Sequence, residues 1–247
     1  MSEVRADETR DRLTRDIWLV QRAKGHRFSS DDVVTAWVAA HTAPEASRIL
    51  DMGCGIGSVL LHLAWTHPNA TLVGVEAQDI SYDLLVRNVA AADGYRDRIA
   101  IHHGDLRAFP AAGEFDLVTG TPPYFPIGRA VDAMDPQRAY ARIEYRGGIE
   151  DYLAAAKRAL APDGVAVICG DARAGERADA GAAAAGLEIV ARLDAIPRAG
   201  QPALFAVWTL RHATGAPVVT AQSTITIRDE HGVPSDDARM LRAFSGL

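Results

Sequence analysis

The residues of this chain that are best placed to do chemistry begin with a glycine-rich segment at 51–57. It reads Asp-Met-Gly-Cys-Gly-Ile-Gly and follows the apolar pair Ile49-Leu50. Glycine lets a backbone approach a ligand closely, and the N–H groups that open a helix attract polar or anionic groups. A dinucleotide-binding fingerprint would need its third glycine at position 58, which is Ser58. The segment therefore predicts a binding loop of another type, between a buried strand and a helix.

Two acidic residues stand at the ends of the next two apolar segments. Glu76 closes the segment 71–76, and Asp105 follows the segment 99–103. A carboxylate about twenty residues past a glycine loop can bind two ribose hydroxyl groups through paired hydrogen bonds. Either acid alone could simply cap a helix. Because the loop and the two acids occur in order, each after an apolar segment, they predict a cofactor site with Glu76 as its ribose ligand.

A second unusual loop follows the fourth apolar segment, at residues 119–125. It reads Thr-Gly-Thr-Pro-Pro-Tyr-Phe. Two consecutive prolines cannot continue a sheet or begin a regular helical turn at this point. The pattern predicts a rigid loop at the catalytic edge of the sheet.

These loops need elements that bring them to one edge of the fold. From residue 48, apolar strand-like segments alternate with helical segments, which is typical of a parallel sheet with helices on both faces. The predicted strands are 48–52, 71–75, 99–103, 115–120, 165–170, 187–193 and 203–210. The predicted helices between them are 58–65, 81–92, 149–160 and 173–185. Ligands bind such sheets at the carboxyl ends of the strands, near the point where the strand order reverses.

Two regions make up the predicted domain organisation. Residues 1–28 form an N-terminal arm, polar and partly helical or frayed over 1–16, with a short strand or hairpin at 17–28. Residues 29–247 form one α/β domain, which suits their length. A helix at 29–40, one more strand at 217–228 and a final helix at 235–244 complete the prediction.

Composition limits the classes of function. The formal net charge of −6 over 247 residues argues against broad nucleic-acid binding, although it leaves room for a local basic groove. The two cysteines, Cys54 and Cys169, predict reduced, buried thiols rather than a disulfide scaffold or a metal site. The charged N-terminus lacks an apolar signal core, and no apolar run approaches membrane-spanning length. The expected location is the cytoplasm, without a membrane partner.

The glycine segment resembles the first motif of class I S-adenosylmethionine (SAM) methyltransferases. The resemblance implies a Rossmann-like fold with a mainly parallel, seven-stranded sheet, and SAM as the cofactor. In such enzymes this loop wraps the methionine part of SAM, and the acid after the third strand accepts the adenine amino group. The implied cofactor-binding residues are Asp51, Gly53, Gly55, Gly57, Glu76 and Asp105.

The proline loop is similar to the Asn-Pro-Pro-Tyr loop of amino-group methyltransferases, in which an asparagine side chain and a proline carbonyl hold a planar amine. With the segments 25–31, 141–144 and 225–232 in matching order, most of the chain resembles the bacterial tRNA adenine-N6 methyltransferases that act on valine tRNA. The implied catalytic residues are Thr121, Pro122 and Tyr124. Threonine replaces the asparagine, however, and one hydroxyl cannot copy an amide. Losing such an acceptor costs on the order of 2–4 kcal/mol in the transition state.

Three further residues are predicted to bind the acceptor, namely Arg27, Phe125 and Arg142. An arginine near the loop could orient an anionic substrate by a forked contact. Alternatively, Arg142 could form a structural ion pair with Glu144 that anchors the segment. His26 is the histidine to test as a base or as a positioning residue near the cofactor entrance.

Three functions are compatible with these residues. The first is methyl transfer to a nitrogen or oxygen of a small molecule or peptide, which the Thr121 substitution and the acidic charge favour. The second is tRNA adenine-N6 methylation, with arginine-rich patches at 138–146 and 228–242 as phosphate contacts. The third is a SAM-binding module without catalysis, against which the rigid proline loop argues. The arm at 1–16 could contribute to a lid or to a homodimer contact.

Overall fold

In the computed structural model, residues 4–129 and 135–247 are described. They form ten strands, β1 to β10, at Glu8–Arg12, Trp18–Arg22, Arg48–Met52, Thr71–Glu76, Ile99–His103, Phe115–Gly120, Leu160–Asp171, Leu187–Ile196, Phe205–His212 and Ala221–Thr226. Seven α-helices, α1 to α7, lie at Ser30–Thr42, Ser58–Thr66, Asp79–Ala91, Pro136–Arg142, Ile149–Ala159, Gly175–Ala185 and Asp236–Phe244. Short 3-10 turns lie at Arg96–Arg98, Leu106–Ala108 and Ala172–Ala174.

The central sheet has the strand order β10-β8-β9-β7-β6-β3-β4-β5. Only β9 pairs in antiparallel fashion with its two neighbours, while the other pairs are parallel. The predicted mainly parallel sheet is therefore confirmed. The sheet has eight strands instead of the seven that the resemblance implies, because β10, within the predicted segment 217–228, adds to the edge beside β8.

The two faces of the sheet bury separate apolar clusters. One cluster packs α1, α2 and α3 against the sheet, and the other packs α5 and α6 against its opposite face. The central strands β3 and β6 are buried along nearly their whole length, as expected for strands covered on both faces. This arrangement confirms the predicted helices on both faces.

The order of the strands reverses at β3. From β3 the chain adds β4 and then β5 on one side, and it returns to place β6 on the other side. The loops after β3 and β6 therefore leave the sheet side by side and diverge to opposite faces. A crevice opens between them, and ligands of such folds bind there.

The N-terminal arm contains an antiparallel hairpin in which Glu8 pairs with Arg22 and Arg12 with Trp18. The segment 8–12, predicted as part of a helical or frayed arm, is a strand because pairing with β2 satisfies its backbone. The hairpin is tied to α3 by the buried Glu8 carboxylate, which accepts a hydrogen bond of 2.6 Å from Arg87. Within the described part of the chain, no helix has both the length and the apolar character needed to cross a membrane.

Asn88 of α3 joins three parts of the fold. Its Oδ1 accepts a hydrogen bond from the Val20 N–H (2.8 Å), and its Nδ2 donates to the carbonyl oxygens of Val20 (3.0 Å) and Ile56 (2.9 Å). The side chain is 1% exposed. It therefore links the hairpin, through α3, to the glycine-rich loop.

We expect Asn88→Ala to lower the free energy of unfolding by about 2–4 kcal/mol, because it leaves three buried backbone groups without partners. Chemical denaturation monitored by circular dichroism measures the change. Asp97→Ala, at an exposed site, is the matched control and should change stability little. A loss at Asn88 no larger than at Asp97 would contradict the linking role.

Candidate functional site

One pocket lies over the carboxyl ends of the central parallel strands. It is lined by the backbone of Gly53 and Gly55, by the carboxylates of Glu76 and Asp105, and by Thr121 of the proline loop. The structure thus brings together residues from the loops after β3, β4, β5 and β6. The sequence predicted each of these residues for a cofactor or catalytic site.

The glycine loop needs its glycines for two different reasons. Gly53, Gly55 and Gly57 have φ angles of +60°, +57° and +92°, which other residues rarely adopt. A Cβ at Gly55 would meet only open space, whereas one at Gly57 would lie 2.8 Å from Leu85 Cδ1. Gly53 and Gly55 therefore present bare backbone to the pocket, while Gly57 turns the chain into α2 and packs against α3.

Glu76 connects the end of β4 to the glycine loop. Its two carboxylate oxygens accept hydrogen bonds from the N–H groups of Gly55 (2.8 Å) and Gln78 (2.6 Å). Burial raises the pKa of this carboxyl. Each oxygen keeps a second lone pair, so the carboxylate can still accept a pair of hydroxyl groups.

Asp51 lies beneath the loop and is not among the residues that line the pocket. Its Oδ1 accepts a hydrogen bond from Thr119 Oγ1 (2.8 Å), which joins β3 to β6. Its Oδ2 is buried and has no hydrogen-bond partner among the described residues. Burial raises the pKa of Asp51 to about 7. Asp51 therefore supports the loop from below and adds an electrostatic bias toward a cationic ligand.

Asp105 lines the pocket, but Arg107 already engages its carboxylate. The Arg107 backbone N–H and Nε both donate to Oδ1 at 2.9 Å, and Nη2 donates to Oδ2 at 2.6 Å. These hydrogen bonds lower the pKa of Asp105. A ligand amino group would have to share this carboxylate with Arg107.

The proline loop divides into a pocket-facing part and an anchoring part. Thr121 and Pro123 line the pocket, whereas Pro122 and Tyr124 are absent from its lining. The Tyr124 hydroxyl donates to Asp31 Oδ2 (2.9 Å) and lies 3.2 Å from Cys169 Sγ. Tyr124 therefore holds the loop against the first turn of α1.

The predicted acceptor-binding residues lie elsewhere. Arg27 is held at the hairpin by Asp11 (3.1 Å) and Thr9 (2.8 Å) and does not line the pocket. The Arg142 guanidinium stacks over Phe125 at 5.3 Å from the ring centre. Neither Arg142 nor Phe125 is among the residues that line the pocket.

The alternative structural role for Arg142, an ion pair with Glu144, is wrong. Glu144 instead pairs with Arg177 of α6, whose Nη1 lies 2.8 Å from Oε1. Arg177 also pairs with Glu150 at 2.7 Å. This network ties the segment after α4 to the helices that cover the sheet, and it leaves Arg142 on the surface beside Phe125.

The pocket also contains residues that sequence reasoning did not assign to it. Asp32 accepts hydrogen bonds from Ser58 Oγ and the Ser29 N–H, both at 2.9 Å, and burial raises its pKa to about 8. Tyr152 of α5 and Arg146 also line the pocket. Asp32 belongs to the predicted helix at 29–40, where Ser29 and Asp32 have the spacing of a helix start, and nothing local in the sequence brings Tyr152 to the loop. His26 does line the pocket, and burial lowers its pKa.

Buried acids make the pocket favourable for a positively charged ligand. Asp32, Asp51 and Glu76 all have pKa values raised first by burial, and each would gain from a nearby cation. The sulfonium and ammonium groups of SAM are cations of this kind. Together with the open space at Gly55, the residues present fit SAM.

Comparison with known proteins supports the same class of site. Residues 49–144 match the model of a methyltransferase domain. A tRNA1(Val) (adenine(37)-N6)-methyltransferase from Aeromonas hydrophila is 35% identical over 134 residues, 53% of this chain and 55% of that protein. A ribosomal protein uL3 glutamine methyltransferase from Bradyrhizobium diazoefficiens is 30% identical over 159 residues, 62% of this chain and 48% of that protein. The chain spans about half the length of the curated relatives it matches.

Solved structures share the fold. A predicted O-methyltransferase from Agrobacterium tumefaciens superposes with a TM-score of 0.66 at 16% identity, over 88% of this chain and 97% of that chain. TYW2 from Pyrococcus horikoshii gives a TM-score of 0.59 at 17% identity, over 84% of this chain and 72% of that chain. The predicted resemblance to class I SAM methyltransferases is confirmed. The match to a methyltransferase domain over residues 49–144 supports the predicted enzyme class and SAM as its cofactor.

The raised pKa of Asp51 predicts a pH dependence of stability. Its contribution is fully present below about pH 4, near the unfolded value, and is lost as pH rises through about 7. Asn keeps an acceptor for Thr119 without the buried charge. We therefore expect Asp51→Asn to weaken the fall in thermal unfolding midpoint between pH 5 and pH 8.

Differential scanning calorimetry across this pH range measures the effect. Asp32 contributes in the same direction, so a smaller slope remains in Asp51→Asn. Asp97→Asn, at an exposed site, serves as the control and should keep the wild-type slope. Equal slopes in all three proteins would contradict the buried-charge account.

Proposed function

We propose that this chain is a SAM-dependent methyltransferase that transfers a methyl group to a nitrogen or oxygen of a small molecule or peptide. One observation carries the proposal. A single pocket is lined by the bare backbone at Gly53 and Gly55, by Glu76 and by Thr121 of the proline loop. A cofactor held by the first three residues would present its reactive group toward the fourth.

In this proposal each part of SAM meets a group suited to it. The backbone at Gly53 and Gly55 receives the methionine part, Glu76 accepts the ribose hydroxyl groups, and Asp105 accepts the adenine amino group beside Arg107. Asp51 acts from beneath the loop through its field and its hydrogen bond to Thr119. When bound, SAM supplies an activated methyl group on a sulfonium.

The protein then has to align an acceptor and exclude water, because a displacement at the methyl carbon needs no metal and no covalent enzyme intermediate. Thr121 offers one hydroxyl, and the Pro122 carbonyl oxygen offers a second acceptor in the same loop. Tyr124 keeps the loop rigid through Asp31. A carboxylate or a neutral amine would need little help from a base.

The acceptor class rests on the threonine and on the charge of the chain. Thr121 lines the pocket where the amide of an asparagine would hold a planar adenine amine. The net charge of −6 opposes a general affinity for polyanions. Relatives named for glutamine methylation of ribosomal protein uL3 and of a release factor support a peptide acceptor.

A second candidate is tRNA adenine-N6 methylation. It is supported by a surface of arginine and aromatic side chains beside the proline loop. Beside the proline loop, Arg142 stacks on Phe125, and Arg146 lies over Tyr140 at 4.8 Å. Tyr145 lies 5.2 Å from Tyr140 between ring centres. Guanidinium and aromatic groups in this alternation suit phosphates and unstacked bases. The relatives named for tRNA1(Val) add support.

The third candidate is a SAM-binding module without catalysis. The anchoring of the proline loop argues against this candidate. A pure binder would have no use for a loop held rigid at the mouth of the pocket. A cytoplasmic location and a homodimer with a contact through the N-terminal arm also belong to the proposal.

Radiolabelled SAM incubated with the protein and a cell extract tests the proposal directly. We expect label in the small-molecule or peptide fraction and none in tRNA. Label in tRNA that is lost on nuclease digestion would establish the second candidate. Binding of SAM without label in any fraction would establish the third.

Thr121→Asn separates the first two candidates in purified components. For a small-molecule or peptide acceptor we expect no gain on tRNA and a fall in the true reaction, on the order of ten- to a hundred-fold. Thr66→Asn, at the end of α2 and outside the pocket lining, is the control for a threonine replacement. A rise in tRNA methylation by Thr121→Asn would instead mean that an adenine pocket persists.

A further inference from the structure

Tyr152 of α5 occupies the junction between the glycine loop and the proline loop. The residue is 6% exposed and belongs to the buried face of the helix. It nevertheless lines the pocket. A Cβ at Gly53 would overlap with the Tyr152 hydroxyl, so the hydroxyl lies directly over the loop that follows β3.

Gly120, the last residue of β6, makes room for the same ring. A Cβ at this position would lie 2.7 Å from Tyr152 Cδ1, closer than side-chain carbons tolerate. Gly120 is not among the glycines with positive φ, so its backbone does not require glycine. The need to accommodate the ring of Tyr152 explains why residue 120 is a glycine. Two separate loops thus leave space for one side chain, immediately before Thr121.

Among the described residues the Tyr152 hydroxyl makes no hydrogen bond, and it is open to the pocket rather than sealed in the core. A ligand in the pocket can therefore reach this hydroxyl without first breaking a hydrogen bond within the described residues. Burial first, and then the nearby charges of Glu76 and Asp51, raise the pKa of Tyr152, so the group stays a neutral hydroxyl. Its oxygen carries two lone pairs that can accept a hydrogen bond.

We propose that the Tyr152 hydroxyl oxygen contacts the sulfonium and its polarised methyl group when SAM is bound. The inference rests on the proposed function, since it needs SAM in this pocket. The methionine part is assigned to the backbone at Gly53, and the reactive end to Thr121. The Tyr152 hydroxyl lies against Gly53, and its ring lies against Gly120, the residue before Thr121. A polarised C–H group donates a weak hydrogen bond to such an oxygen.

This placement gives the residue a specific signature. S-adenosylhomocysteine keeps the adenosine and the amino-acid groups of SAM but has a neutral thioether and no methyl group. Removing the hydroxyl should therefore weaken the binding of SAM and leave the binding of S-adenosylhomocysteine unchanged. A residue that only shaped the pocket would affect both ligands alike.

Isothermal titration calorimetry of Tyr152→Phe with both ligands tests the proposal. We expect the Kd for SAM to rise about two- to five-fold, in line with one or two weak hydrogen bonds, and the Kd for S-adenosylhomocysteine to stay at the wild-type value. Phenylalanine keeps the ring that fills the space at Gly120. Because the hydroxyl makes no hydrogen bond to any described residue, the unfolding midpoint without ligand should also stay unchanged.

Tyr95→Phe is the matched control, since it removes a hydroxyl outside the pocket lining that binds only Asp16. It should leave both dissociation constants unchanged. Equal losses for the two ligands in Tyr152→Phe, or no loss for either, would overturn the inference. Failure of the wild-type protein to bind either ligand would overturn the proposed function itself, so the two failures are distinguishable.

Discussion

The site depends on the parallel pairing of β3 with β6, at the point where the strand order reverses. Asp51 and Thr119 are direct partners in this ladder, and the Thr119 hydroxyl donates to Asp51 at 2.8 Å. This pairing sends the glycine loop and the proline loop out of the sheet next to each other. Since the two strands are buried on both faces, neither loop can move away without disrupting the core. Every other pocket residue is placed relative to this junction.

Buried carboxylates around this junction make the pocket favourable for a positively charged ligand. The pKa values of Asp32 and Asp51 are raised first by burial, and for Asp32 also by the neighbouring charge of Asp31. A positively charged cofactor would relieve this cost on binding. The protein therefore gives up some stability near neutral pH in a region where a ligand can recover it, as functional sites commonly do.

Anchors outside the pocket hold the two loops in place. Asn88 connects the glycine loop to the hairpin, and Tyr124 fastens the proline loop to α1 through Asp31. Glu144 and Arg177 fasten the following segment to α6. These contacts join residues far apart in sequence. Arg142 is not part of these contacts and lies exposed over the half-buried ring of Phe125.

The sequence by itself determined the alternating architecture, the glycine loop, Glu76, Asp105 and the position of Thr121, because periodicity, glycines and prolines act locally. The positions of several side chains depend on packing between residues far apart in sequence, and only the tertiary structure decided them. Asp51, predicted to bind the cofactor, lies beneath the loop, and Arg27, predicted to bind the acceptor, contacts the hairpin. Tyr152 lines the pocket because Gly53 and Gly120 leave space for its side chain. Local patterns carry no information on which distant side chain fills a given space, so only the packed fold could place these residues.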